Sequence, residues 1–180
     1  MKRESGMRLE TEDLVLKNGI FQDWKSMYEN LWRHEESARY MLWQVTGSEE
    51  EAQIRMQKSI EHQKKNPLAY FVYEKKSSQA IGFAGMMKIA EGVYEDTGIA
   101  IGPSFIGRGY GKQILNALVK QAFEELNADR LVCSCRSKNE ASRGMQLACG
   151  FTYSHSEERE DVRNGERYVL DFYQLDRQKR

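Results

Sequence analysis

Between Phe105 and Ile114 the sequence reads FIGRGYGKQI, with glycines at 107, 109 and 111 and basic side chains at 108 and 112. Glycines let backbone N–H groups turn inward and approach a ligand closely. A helix opening at Lys112 adds the partial positive charge of its N-terminus. The backbone from Arg108 to Lys112 is therefore expected to cradle an anion, and a diphosphate fits. A tight glycine turn holding nothing is the plain alternative. Two nucleotide motifs are excluded. A P-loop needs glycine where Ile106 stands and a hydroxyl residue where Gln113 stands. A dinucleotide fingerprint spaces its glycines differently and places its acid after the next strand, whereas Asp129 precedes that strand.

Two acids, Glu95 and Asp96, lie just upstream of the loop. Neighbouring strand residues face opposite sides, so one of the two can face a site. Downstream stands NEASRGMQLACGF, Asn139 to Phe151. Its Asn139 predicts an N-cap, and Ser142 sits in the first turn of the helix it caps.

The elements that must position these groups follow from spacing. Leu9 to Lys17 reads as a first strand. Phe21, Trp24, Met27, Tyr28, Leu31 and Trp32 recur at helical spacing. Ser48 and Glu51 make a capping box for a helix running to about Lys65. Leu68–Glu74, Ala80–Ala90 and Val93–Ile101 read as three strands with short polar links, hence antiparallel neighbours. After the loop, Ile114, Leu115, Leu118, Val119, Ala122, Phe123 and Leu126 form an apolar helical stripe, with Gln121 on the polar face. Arg130–Cys135 reads as a strand, and a strand–helix–strand passage predicts a parallel pair. A second helix runs from the Asn139 cap to Gly150. Phe151–His155 and Tyr168–Leu175 pair as a terminal hairpin with Asn164-Gly165 at its turn. The expected fold class is α/β (α+β): one domain over residues 1–180, with a mixed, mostly antiparallel twisted sheet and helices on both faces.

The 27 basic and 27 acidic side chains cancel, which argues against a nucleic-acid partner held by a basic surface field. No leader-like or bilayer-length apolar run occurs, so no membrane association is expected and a cytoplasmic location is. Cys133, Cys135 and Cys149 read as small buried hydrophobes, with Cys133 and Cys135 on opposite faces of their strand. His34, His62 and His155 show no metal-ligand spacing.

Gly107-Arg108-Gly109-Tyr110-Gly111, followed by a strand and then N-x-x-S with a later G-F, resembles the GNAT superfamily of N-acyltransferases. The start RLETEDLVLK and the segment ARYMLWQVTGSEEEA are similar to its ribosomal-protein N-terminal acetyltransferase branch. The family loop pattern, Q/R-x-x-G-x-G/A, is met by Gly109 and Gly111 and departed from at Ile106. The resemblance implies that the loop, Ile106 to Lys112, binds acetyl-CoA through its pyrophosphate, and that Asn139 and Ser142 meet the coenzyme arm. It implies Asp96 as general base, two residues before Gly98, with Glu95 the other candidate acid. Ser142 is the candidate for helping the thiolate leave. A tyrosine used by many relatives is replaced at Met145 and Gln146, and Tyr153 is a substitute candidate. Tyr40 and Trp43 are expected to shape the acceptor pocket, with His155 a further candidate for its lining and Glu35 and Glu36 candidates for attracting a cationic amine.

The implied reaction moves an acetyl group from acetyl-CoA to a primary amine by direct attack on the thioester. The ammonium must first lose a proton, and the thiolate must be stabilised. A backbone N–H of the strand before the loop is expected to face the developing oxyanion. No metal takes part. The expected acceptor is a protein N-terminus or a small amine, and the protein is expected to act as monomer or homodimer. The rival readings are a different acyl-CoA donor and a coenzyme-binding module without turnover.

Overall fold

The structure, a computed structural model, describes residues 7–178. Met1–Gly6, on which part of the leader reading rests, lie outside the described residues. Nine strands form one mixed sheet: β1 (Leu9–Glu10), β2 (Leu14–Lys17), β3 (Ala69–Glu74), β4 (Ala80–Ala90), β5 (Val93–Asp96), β6 (Ala100–Ile101), β7 (Arg130–Arg136), β8 (Thr152–Glu160) and β9 (Arg167–Asp176). Their order is β1-β2-β3-β4-β5-β7-β9-β8, with β6 also pairing β4. Among the described pairs only β5 and β7 run parallel. Five α-helices accompany the sheet among the described residues: α1 (Trp24–Met27), α2 (Glu35–Ala38), α3 (Glu49–Lys65), α4 (Tyr110–Lys120) and α5 (Glu140–Ala148).

Alternation along β3 divides the interior between two layers. Tyr70 and Val72 join Leu14, Leu16, Ile81, Ile114, Leu115, Leu118 and Leu131 on one face, under α4. Phe71 and Tyr73 join Met27, Leu31, Trp32, Ala52 and Met56 on the other, under α1 and α3. Helices thus cover both faces. The α3 start is capped as expected: the Glu51 N–H donates to Ser48 Oγ at 3.2 Å. The Glu51 carboxylate reaches back to the N–H of Gly47 at 2.7 Å rather than to that of Ser48.

Four local readings change. The first strand is a tight hairpin, with Leu9 paired to Leu16. Its turn is closed by the Thr11 hydroxyl, which accepts the Leu14 N–H at 3.0 Å. Gln121 lies inside the core, not on the polar face. The helix widens into a π-helical turn over Gln121–Glu125, which rotates the side chain inward, where its amide and the Tyr70 hydroxyl are 2.8 and 3.0 Å apart. Cys133 and Cys135 share one face and the same core, since side chains two apart on a strand point the same way. They are free, as is Cys149.

The fourth change shapes the site. Residues 93–101 do not form one straight strand. β5 pairs β4 on one side and β7 on the other, the last parallel partners being Glu95 and Val132. The chain then bends through Thr97 and Gly98. The short β6 keeps only β4 as partner, through Gly82–Ile101 and Phe83–Ala100. β7 meanwhile continues alongside β9 to Arg136. The two strands therefore part, and the sheet has a gap on one side of the β5–β7 pair.

Candidate active site

A cleft of about 580 Å³ opens at that gap. Ile99, Ala100 and Ile101 form one wall, and Ala141, Ser142 and Met145 of α5 face them. The glycine loop and the first turn of α4 close one end. Gly107 and Gly109 sit at φ +80° and +77°, a left-handed backbone that glycine alone adopts freely. A Cβ on either would meet nothing within 4 Å, so their surroundings leave room for a ligand to approach the main chain. Among the described residues, no N–H group from Gly107 to Lys112 donates to a protein acceptor; the first helical bond is Gln113 to Gly109 O at 3.2 Å. Six consecutive donors at a helix N-terminus are the expected cradle of an anion.

The loop is braced from below. Arg108 Nη1 donates to Glu74 Oε1 at 2.9 Å and the Tyr110 hydroxyl donates to the same oxygen at 2.7 Å. Glu74 is buried. The Tyr110 hydrogen bond, ahead of Arg108, holds its carboxyl below the usual carboxylate range. Arg108 is thus tied to the sheet and stacked over Phe105 at 5.2 Å; it is absent from the cleft lining, while Lys112 is part of it. Gly111 serves packing: a Cβ there would stand 2.7 Å from Met145 Sδ, so its absence lets α4 and α5 close together.

The Asn139 side chain caps α5, accepting the Ser142 N–H at 3.1 Å, and both residues line the cleft. Ile106 lines it too, 68% exposed. Tyr40 and Glu36 also line it. Trp43 does not reach it. Its ring packs against the second core, with the Arg55 guanidinium 4.6 Å from its centroid. Glu35 is likewise outside the lining, as are Tyr153, whose hydroxyl meets Ser156 Oγ at 2.8 Å, and His155, stacked on Phe172 at 4.5 Å.

Glu95 and Asp96 face opposite ways. Glu95 shares its side with Arg159 and Glu157, and burial pushes its carboxyl up. Asp96 turns toward the α5 side, where Ser134 N–H donates to Oδ1 at 3.3 Å. Burial pushes its pKa up to about 7, and its nearest titratable neighbour on that side is the Cys133 thiol, itself pushed well up by burial. Neither acid is part of the cleft lining. Asp96 is linked to it through Ser134: the Ser134 carbonyl accepts from Gln146 Nε2 at 3.4 Å, and the same nitrogen lies 3.3 Å from Ser142 Oγ. Gln146 entered the sequence reading only as a residue standing where many relatives use a tyrosine. It is buried, and its Oε1 has no partner among the described residues. Glu74 was missed, because a lone acid ending an aromatic strand carries no local sign of burial.

The arrangement is a cleft in a split sheet with a row of free N–H donors at the helix that closes it. Solved acetyltransferases have this shape. An acetyltransferase of the GNAT family from Bacillus anthracis matches at a TM-score of 0.81 with 19% identity, covering 94% of this chain and 98% of its own. RimL, a ribosomal L7/L12 alpha-N-protein acetyltransferase solved with coenzyme A disulfide-bonded to a cysteine, matches at 0.77 with 20% identity, covering 94% and 98%. An FsC-acetyl coenzyme A-N(2)-transacetylase of Aspergillus fumigatus is 36% identical over 56 residues, 31% of this chain and only 24% of that protein. Residues 13–152 match the family model described as the acetyltransferase (GNAT) domain, and the chain belongs to that family. Among the described residues no cluster of His, Cys, Asp and Glu could hold a metal ion, and no helix is long and apolar enough to cross a membrane.

Proposed function

We propose that this chain transfers an acetyl group from acetyl-CoA to a primary amine by direct attack on the thioester. The observation that carries the reading is the row of six undonated N–H groups from Gly107 to Lys112 at the cleft end. Two phosphate groups need several donors held in one concave arc, and a helix N-terminus lowers their cost of burial. RimL, with coenzyme A bound, shares the fold.

The bound coenzyme supplies an activated acyl group on sulfur. The protein supplies position and a proton path. The loop fixes the pyrophosphate, with Lys112 adding a whole charge and Ile106 and Gly107 completing the turn. Asn139 and Ser142 meet the pantetheine arm, which lies between α5 and the Ile99–Ile101 wall in this reading. Asp96 takes the proton of the acceptor ammonium. A base poised near pH 7 removes it without being too weak to act, and burial places Asp96 there. The amine then bonds to the acyl carbon, the C–S bond breaks, the nitrogen gives its second proton to the departing sulfur to leave an amide and free coenzyme A thiol, and Ser142 donates a hydrogen bond to the sulfur as it leaves. Gln146, which holds Ser142 and the Ser134 main chain together, keeps these groups in place. Tyr40 and Glu36 bound the acceptor side, and Glu36 favours a cationic amine there.

Isothermal titration with coenzyme A and acetyl-CoA tests the donor. Binding with a Kd in the micromolar range is expected (about 8 kcal/mol), followed by thiol release that requires an amine. Well-folded protein that takes up neither ligand would overturn the reading. Uptake without release across a broad amine panel would instead favour the silent coenzyme-binding module, and release from a longer acyl-CoA in preference to acetyl-CoA would reassign the donor.

A further inference from the structure

A second cleft, of about 430 Å³, adjoins the first. Arg39 and Tyr40 line both, and the loop between β7 and α5 places Asn139 on the first and Lys138 on the second. Four cationic residues, Arg39, Arg136, Lys138 and Arg167, line the second cleft against one carboxylate, Glu166. The chain as a whole is neutral, so this is a local departure.

The pairing of these charges leaves the excess uncompensated. Arg136 is buried and donates to Asp161 at 2.7 Å, but Asp161 is shared with Arg163 at 2.6 Å, so the three carry a net positive charge. Arg167 reaches only the exposed Glu158, at 3.5 Å. Among the described residues Arg39 and Lys138 pair with no carboxylate. Arg163 also donates to the Trp43 carbonyl at 2.8 Å, which fastens the β8–β9 turn to the segment after α2 and fixes the far wall. A concave wall of one sign focuses the field on what enters it and selects the opposite charge.

We propose that the acceptor amine carries carboxylate groups, and that Arg39, Lys138 and Arg167 hold them in the second cleft while the amine enters the first beside Tyr40. This rests on the acetyl-transfer reading and names the acceptor class for it. Two sources share that chemistry: a free amino acid, and a peptide whose N-terminal residue is followed by acids. The coenzyme's own phosphates are a poorer occupant, because their proposed cradle, the loop that opens α4, lines the first cleft and not the second.

The test measures kcat/KM for peptides Ala-Glu-Glu-Glu, Ala-Gln-Gln-Gln and Ala-Lys-Lys-Lys, for free glutamate and for spermidine. The expected order is acidic over neutral over basic, with at least about a tenfold step from acidic to neutral. Glutamate as the best substrate assigns the amino-acid source, and the acidic peptide assigns the peptide source. Lys138→Glu and Arg167→Glu, both at exposed positions, raise KM for the acidic acceptor and leave KM for acetyl-CoA in place. Equal rates for all acceptors, a preference for spermidine or the lysine peptide, or variants that raise only KM for acetyl-CoA would overturn the proposal. If the coenzyme binds but nothing turns over, titration of the three peptides onto the coenzyme A complex decides instead, with tightest binding of the acidic peptide expected. Failure to bind coenzyme A at all would remove the acetyl-transfer reading itself, which keeps the two failures apart.

Discussion

Asp96→Asn is expected to lower kcat at pH 8 by about 10²–10⁴-fold, the range that a lost general base gives, while the Kd of coenzyme A should stay where it was. With Asp96 as the proposed base, the wild-type rate should climb with pH through its pKa of about 7, because only an ionised carboxyl can accept the ammonium proton. The variant loses that limb, so the two rates converge toward pH 5. An unchanged pH profile in the variant would remove Asp96 from the reaction. Stability moves the other way. Folded, Asp96 keeps its proton to about pH 7; unfolded, it releases it near pH ~4. Between those values the native state binds more protons, and stability falls as pH rises. Asn carries no such penalty. Thermal denaturation should therefore show the variant melting a few degrees above the wild type at pH 8 and level with it at pH 4. A group that is costly when folded and needed for turnover is the signature of a working site.

The second large effect is on the coenzyme. Gly109→Val combines a φ of +77°, which a β-branched residue adopts only under strain, with a side chain standing over the cradle. No protein atom lies within 4 Å of the Cβ it would add, so the fold has no clash to absorb; the strain costs about 1–2 kcal/mol. Relaxing it turns the neighbouring N–H groups away. Hydrogen bonds to charged groups are worth about 1.5–3 kcal/mol each, so losing one or two raises the Kd for acetyl-CoA by about tenfold or more. Calorimetry measures the affinity and circular dichroism the fold. A folded variant with wild-type affinity would show that the loop does not grip the diphosphate.

Sequence carried some of this well, and physics explains which parts. The positive φ of Gly107 and Gly109 and the Asn139 cap are local: residue type and backbone demand coincide within three or four positions. The strand at Leu68–Glu74 and the helix carrying the stripe from Ile114 onward were likewise legible, from residue type and from period. The β1–β2 hairpin was hidden because a Thr hydroxyl, not a glycine, closes its turn. Gln121 was misplaced because a π-helical turn breaks the 3.6-residue period on which the face assignment depends. The role of Arg108 was hidden because its partner, Glu74, is 34 residues away. The second cleft left no trace at all. Arg39, Lys138 and Arg167 come from three separated segments, and each alone looks like an ordinary solvated cation. Trp43 shows the reverse error: an aromatic beside a site residue joins the core instead.

The Arg108–Glu74 pairing has a kinetic corollary. With its one guanidinium neutralised by the sheet, the loop is left with fixed amide dipoles, which mobile ions barely screen, and the single ammonium of Lys112 as its proposed grip on the ligand. Between 50 mM and 500 mM sodium chloride the Michaelis constant for acetyl-CoA should drift little, whereas that of a carboxylate-bearing acceptor, drawn in by free cations, should climb steeply. Ionic strength would then act as a dial on one substrate and leave the other alone.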